Sequence, residues 1–442
     1  MKRKGTPERL RLPDQLTGAF DGIVIGTFGA DLAFAERQLF QHLPKSTVNR
    51  IILADARQLG RFLATNTDVR RVNRTYVAAP VRSPHAHHPK FLLLVGADEG
   101  LLLVGSGNLS LPGYTGPGEC FSTYRWSRDE PAMIEAFGAV RELILDMLDR
   151  NWIDPIAAGR LHELFSIASW IPSSAGPTSP VVHNFERPLL DQLVARIGTA
   201  DVSEIVAAAP FHDHGARAIA ALILALRPER VGLLVQPRQT RLDIQALDRL
   251  RRRTKTPIQL IEAQAPSPYP PTWLHAKFVL VRTKRGDVLL QGSANLTSIA
   301  MCESGNEANV ELANLLEGPA GEFDALLDAL ELTPFPQDIT AFESAEWDDD
   351  DDADSPTPSV DCATWTPPRL RWRIQGRTSG KDIQVHIGDR LLKPIRLTAE
   401  HSEGFTMVEM EFGSADALLI DQAPRLKIAQ RAHPRTSSIR TT

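Results

Sequence analysis

Trp273-Leu274-His275-Ala276-Lys277-Phe278-Val279-Leu280-Val281, followed by Gln291-Gly292-Ser293-Ala294-Asn295-Leu296-Thr297, is the segment around which the rest of this chain is organised. The pattern is that of a hairpin: an apolar strand, a polar turn, and a second apolar strand ending in a loop of small residues. His275 and Lys277 are two residues apart, and alternate residues of an extended strand project to one face. The second strand returns Asn295 beside them. Imidazole, ammonium and carboxamide then converge, a set suited to holding a phosphate and attacking it.

The same pattern occurs earlier. His88-Pro89-Lys90-Phe91-Leu92-Leu93-Leu94-Val95 precedes Val104-Gly105-Ser106-Gly107-Asn108-Leu109-Ser110. Asn108 follows His88 by 20 residues, and Asn295 follows His275 by the same 20. A single His-x-Lys is as well explained by an exposed pair on an edge strand. Two copies, each with a Gly-Ser-x-Asn loop at equal distance, mark an internal duplication.

This duplicated motif resembles that of the phospholipase D superfamily, in which HxK, an Asp five residues after the Lys, and GSxN occur twice. Here the Asp positions hold Val95 and Arg282. That departure resembles the HKN subset, of which the tyrosyl-DNA phosphodiesterases are best known. The resemblance covers roughly residues 18–335. It implies an α/β fold of two pseudo-symmetric lobes, each with a mixed, largely parallel sheet covered by helices, sharing one cleft. It also implies two-step phosphodiester cleavage through a phosphohistidine, with His88 as nucleophile and His275 as acid and base. Lys90 and Lys277 would neutralise the phosphoryl oxygens, and Asn108 and Asn295 would donate hydrogen bonds to them. Ser106 and Ser293 are expected to bind the substrate phosphate as well as to shape tight turns. Without the motif Asp, each His needs another carboxylate to set its tautomer. Glu119 and Glu307, 11 and 12 residues after the respective Asn, are the candidates, with Glu311 a competitor in the second half.

Composition sets the outer bounds. At 442 residues the chain is long enough for two or three domains, and 43% hydrophobic with 23% charged residues is ordinary for a globular protein. A net charge of −5 excludes a global polycation, so nucleic-acid binding would rest on a local basic surface. Cys120, Cys302 and Cys362 form neither a disulfide framework nor a zinc cluster, which fits a reducing cytoplasm. No signal peptide and no membrane-spanning stretch is evident. No cofactor and no metal site is expected: no carboxylate cluster or CxxC arrangement reads as a catalytic metal site, and His88 of the run His85-Ala86-His87-His88 belongs to the repeated motif.

Apolar runs alternate with helical patterns across both halves, the Pro-rich stretch at 172–180 dividing them. The expected organisation is one lobe over 1–171, a second over 181–336, an acidic linker over 337–361 and a small β-rich domain over 362–442. The linker holds five consecutive aspartates, Asp348 to Asp352. These read as a solvated spacer, with cover of a cationic cleft as the alternative. The last segment alternates apolar and polar residues, and Asp361 to Thr442 carries 13 Lys/Arg against 9 Asp/Glu. The dense basic run at 249–255 reads as a solvated helix end or as a backbone-tracking patch. His212-Asp213-His214 follows a strand end, where α/β clefts form. These features lead to a metal-independent nuclease acting on DNA or RNA. A phospholipase or phosphatidyltransferase, and a non-catalytic nucleic-acid-binding component working with partner proteins of a bacterial defence or repair complex, are the alternatives.

Overall fold

The computed structural model describes residues 12–65, 69–265, 273–335, 338–346, 364–375, 383–387, 390–402, 405–422, 426–430 and 436–439. The first lobe starts with β1 (Gly22–Thr27), β2 (Asn49–Asp55) and β3 (Val77–Val81). They pair in parallel, since the helices Leu32–Arg37 and Ala56–Thr65 lie in the connections between them. β4 (Phe91–Val95), β5 (Glu99–Gly105) and β6 (Phe121–Ser127) then form an antiparallel meander on the other side of β1. Both faces are covered. Phe91, Leu93 and Val95 pack with the helices Ile134–Asp149 and Pro155–Ile167, while Leu92 and Leu94 pack with Leu32, Phe34 and Leu59. Burial on both faces is the reason these strands are unbroken apolar runs rather than alternating ones.

The second lobe repeats the plan. β7 (Val181–His183) lies at one edge. β8 (Val202–Ala208), β9 (Arg230–Val235) and β10 (Ile258–Gln264) are parallel. β11 (Phe278–Thr283), β12 (Gly286–Gly292) and β13 (Leu312–Gly318) form the antiparallel half, and β14 (Glu331–Pro334) closes the far edge. The sheets are mixed, as expected, but the parallel share is smaller than the alternation of strands and helices implied. Parallel pairing ends at β1 and β8, because each motif hairpin returns through a tight turn that allows only antiparallel neighbours.

The His-x-Lys residues themselves precede β4 and β11 rather than lying within them. The β1 ladder with β4 ends at Gly26 and Phe91, so the preceding segment is free to pair elsewhere. It pairs with the opposite lobe.

The lobes share one core: Val310 and Leu312 pack with Val104, Tyr124 and Phe137. Within this contact Asn314 is fully buried. It accepts from the Tyr124 hydroxyl at 2.8 Å and donates to the Val104 carbonyl at 3.2 Å and to Gln291 Oε1 at 2.6 Å.

The C-terminal region forms two small four-stranded antiparallel sheets. Leu370, Trp372, Ile383, Val385, Val408, Met410 and Phe412 fill the core between them, matching the alternation in the sequence. The acidic run at 348–352 and its adjoining Ser-Pro-Thr-Pro segment lie outside the described residues. No helix among the described residues is long and apolar enough to cross a membrane.

Asn314→Leu should remove the 2.8 Å acceptor of the Tyr124 hydroxyl and the 2.6 Å donor to Gln291 Oε1 from a buried interface. A loss of about 2–4 kcal/mol in urea denaturation is expected. An unchanged midpoint would mean that apolar packing alone joins the lobes.

Candidate active site

The segment before β4 crosses to the second lobe. His88 N donates to the Val310 carbonyl at 3.0 Å, and Val310 N donates back to Ala86 O at 2.9 Å. The segment before β11 makes the reciprocal crossing, with His275 N and Ala276 N both donating to the Gly118 carbonyl, at 2.9 and 2.7 Å. Each carbonyl belongs to the residue just before a glutamate. The crossings therefore deliver Glu311 to His88 and Glu119 to His275.

The resulting contacts are close. His88 Nδ1 lies 3.0 Å from Glu311 Oε2, and His275 Nδ1 lies 2.7 Å from Glu119 Oε1. Each carboxylate is held by the serine of its own lobe's loop. Ser106 Oγ donates to Glu119 Oε2 at 2.5 Å and accepts from Cys120 N at 3.0 Å. Ser293 Oγ donates to Glu311 and accepts from Leu312 N at 3.0 Å. These hydroxyls position Glu119 and Glu311, a contact that stands beside the phosphate-binding role expected of Ser106 and Ser293.

Lys90 and Lys277 are each 1% exposed. Lys90 Nζ donates to the His88 carbonyl at 2.7 Å, and Lys277 Nζ donates to the His275 carbonyl at 2.6 Å. Burial and the neighbouring Lys277 charge push Lys90 well below its ordinary pKa; burial brings Lys277 down to about 8. Burial, aided by the lysine charges, also lowers His88 and His275 to about 4 despite their carboxylate partners. Burial alone would raise Glu119 and Glu311, but the adjoining imidazoles and lysines outweigh it and hold both below the usual carboxylate range. Near neutral pH the pairs are thus neutral imidazole with ionised carboxylate. The Nδ1 proton points at the glutamate and the Nε2 lone pair is available. Asn108 and Asn295 lie on the adjoining loops. Gly29 N approaches Asn108 Oδ1 at 3.4 Å, and Asn295 Oδ1 is buried with no hydrogen-bond partner among the described residues.

Glu307 is not brought to this cluster. It sits exposed on the short 3-10 turn Gly305–Glu307. Counting from the loop fails because the second lobe has a longer connection: 11 residues separate Asn108 from Glu119, whereas 16 separate Asn295 from Glu311. The useful signal was local. Glu311 stands between Val310 and Leu312, and a glutamate enclosed by buried aliphatic residues implies a buried, partnered carboxylate.

The other singled-out residues play different parts. His87 is buried, its imidazole is lowered to about 3 by burial, and its backbone N–H donates to Asp55 Oδ2 at 3.0 Å. No group of three or more His, Cys, Asp or Glu capable of holding a metal ion occurs among the described residues. In the basic run, Arg251 and Arg252 both pair with Asp248 of their own helix. His212 is buried and bridges to Leu296 through its backbone. Aromatic rings border the imidazoles: Phe28 meets His88 edge-on at 5.1 Å, and Trp273 lies 4.7 Å from His275 between ring centroids.

The chain matches no protein-family model and no curated protein. Among solved structures it is similar to yeast tyrosyl-DNA phosphodiesterase, at 11% identity over 69% of this chain and 86% of that one, with a TM-score of 0.46. It is also similar to phosphatidylserine synthase from Haemophilus influenzae, at 14% identity over 75% of this chain and 86% of that one, with a TM-score of 0.44. A third likeness is to polyphosphate kinase from Porphyromonas gingivalis, at 11% identity over 71% of this chain and 43% of that one, with a TM-score of 0.38.

Side-chain nitrogen NMR should find His88 and His275 as Nδ1–H tautomers at neutral pH, both titrating near 4. Glu311→Gln removes a charge that favours the imidazolium, so it should lower the His88 value further. Titration near the ordinary histidine value would contradict the buried, neutral pairs.

Proposed function

We propose that this chain, with its bilobal phospholipase-D-like fold and duplicated motif, is a phosphodiesterase that hydrolyses nucleic acid through a phosphohistidine. The observation that carries the reading is the reciprocal pairing: a buried imidazole, His88, and a largely enclosed one, His275, each held at Nδ1 by the opposite lobe's glutamate, beside two buried lysines.

His88 is the nucleophile. Its Nε2 lone pair forms a bond to phosphorus, and the bond from phosphorus to the leaving oxygen breaks. His275 gives that oxygen its proton. In the second step His275 takes a proton from water, the hydroxide attacks phosphorus, and the P–N bond breaks to release a phosphomonoester and free His88. Glu119 and Glu311 position the rings. Lys90 and Lys277 stabilise the phosphoryl oxygens, and the Asn108 and Asn295 amides donate to them.

The charge balance explains how His275 becomes an acid. Two lysines and two glutamates nearly cancel one another. An arriving phosphodiester anion unbalances it, and uptake of one proton restores neutrality. The bound anion raises the pKa of His275, which is the group placed to hold that proton.

Nucleic acid is favoured as substrate over lipid by the HKN pattern and by the appended β-rich region. The aromatic rings beside both imidazoles favour it too, since bases stack where lipid chains would need an aliphatic rim.

Labelled single- and double-stranded DNA and RNA should be cleaved in excess EDTA, and His88→Ala should reduce cleavage by about a thousandfold or more. Equal rates in the two proteins would remove His88 from the chemistry. Intact nucleic acid after incubation with folded wild type would sink the nuclease reading.

Lys277 provides a second check. Its pKa is depressed to about 8, so its charge is present below that pH and lost above it. Oligonucleotide binding by His88→Ala should therefore weaken by up to about tenfold per pH unit above 8. Binding that stays flat until ordinary lysines titrate would show that Lys277 is not the phosphate ligand.

A further inference from the structure

The two halves of the cleft differ in one respect that the duplicated motif does not explain. The position two residues before His88 is Ala86, whose carbonyl is used in the crossing to Val310. The matching position before His275 is Trp273, which remains 42% exposed.

This indole is braced. Its ring is tilted 47° against His275, and Phe211 meets it in a T-shaped contact at 5.8 Å. Phe211 in turn lies under the Arg241 guanidinium, whose carbon is 4.9 Å from the ring centroid. Backbone pairing fixes this base: Phe211 and Arg241 form a parallel bridge, with Arg241 N donating to Pro210 O at 2.9 Å and His212 N donating to Arg241 O at 3.0 Å. A large aromatic held on two sides, yet open to solvent beside a reactive imidazole, is a surface for a planar partner.

We infer that Trp273, backed by Phe211 and Arg241, is a shelf on which a nucleobase next to the scissile phosphate stacks. The inference rests on the nuclease reading and narrows it to single strands. Each base has a π-face that an indole can cover, but in a duplex that face is occupied by neighbouring base pairs. Contact between Trp273 and His275 places the stacked base within about one nucleotide of the phosphorus. Among the described residues the first lobe borders His88 with the smaller Phe28 ring, edge-on, rather than with an exposed indole, so the strand enters in one orientation. Phe211 supports Trp273, and Arg241 adds positive charge at the edge of the stack. Trp273 is thus a specificity-determining residue rather than a participant in bond breaking.

The test is a ratio. A single-stranded oligonucleotide is compared with the same phosphodiester chain carrying tetrahydrofuran abasic residues throughout. Wild type should favour the base-bearing strand in kcat/KM by about ten- to hundredfold. Trp273→Ala should bring that preference close to unity, and Trp273→Phe should keep most of it. Any loosening of His275 would slow both substrates alike and leave the ratio unmoved. A preference that survives Trp273→Ala, or one absent from the wild type, overturns the shelf while leaving the nuclease reading intact. A wild type that neither cleaves nor binds either strand overturns both.

Discussion

Each imidazole in the cleft is oriented by a carboxylate from the other lobe, and the rest of the molecule is arranged to make that exchange. The His-x-Lys segments leave their own sheets before β4 and β11 in order to reach it. Val310 and Gly118 receive them as backbone partners. The serines of the two loops complete the constraint: Ser106 holds the far oxygen of Glu119, and Ser293 shares with His88 the same oxygen of Glu311. Neither lobe alone has an oriented histidine, so the joint between the lobes is as much a part of the site as the side chains.

Electrostatics shapes the site in the same way. A buried lysine is costly unless its charge is matched. Here both ammonium groups donate to the carbonyls of the histidines two residues earlier, and two carboxylates lie close by. The pairing is reciprocal, so burial depresses both lysines and both imidazoles together. The result is a pocket close to neutral overall that nevertheless presents donors to an anion. Its apolar border is supplied unequally, by Phe28 on one side and Trp273 on the other.

Much of this was legible in the sequence, and the reason is periodicity. A repeat at constant offset reports a duplicated fold, and continuous runs such as Phe91-Leu92-Leu93-Leu94-Val95 report strands covered on both faces. The differences come from contacts between residues distant in sequence, some crossing between the halves and some within one lobe. Placing His88 and His275 within strands follows from a hairpin pattern, but their backbone partners are distant in sequence. Glu307 followed from counting, whereas the connection preceding Glu311 is longer than its counterpart. The hold of Ser106 and Ser293 on Glu119 and Glu311 follows from the need of a buried carboxylate for a donor, which motif spacing does not express. The open face of Trp273 was not legible at all, because a tryptophan before an apolar run reads as core.

The His88–Glu311 contact also spans 223 positions of the chain. During synthesis from the N-terminus, His88 is made long before the glutamate that orients it. The first lobe can gather its strands and helices from local contacts, but its imidazole has no fixed tautomer until the ribosome has translated well into the second. A nascent or truncated chain is therefore chemically latent. Reactivity arrives late and at once, when the last long-range pairing closes.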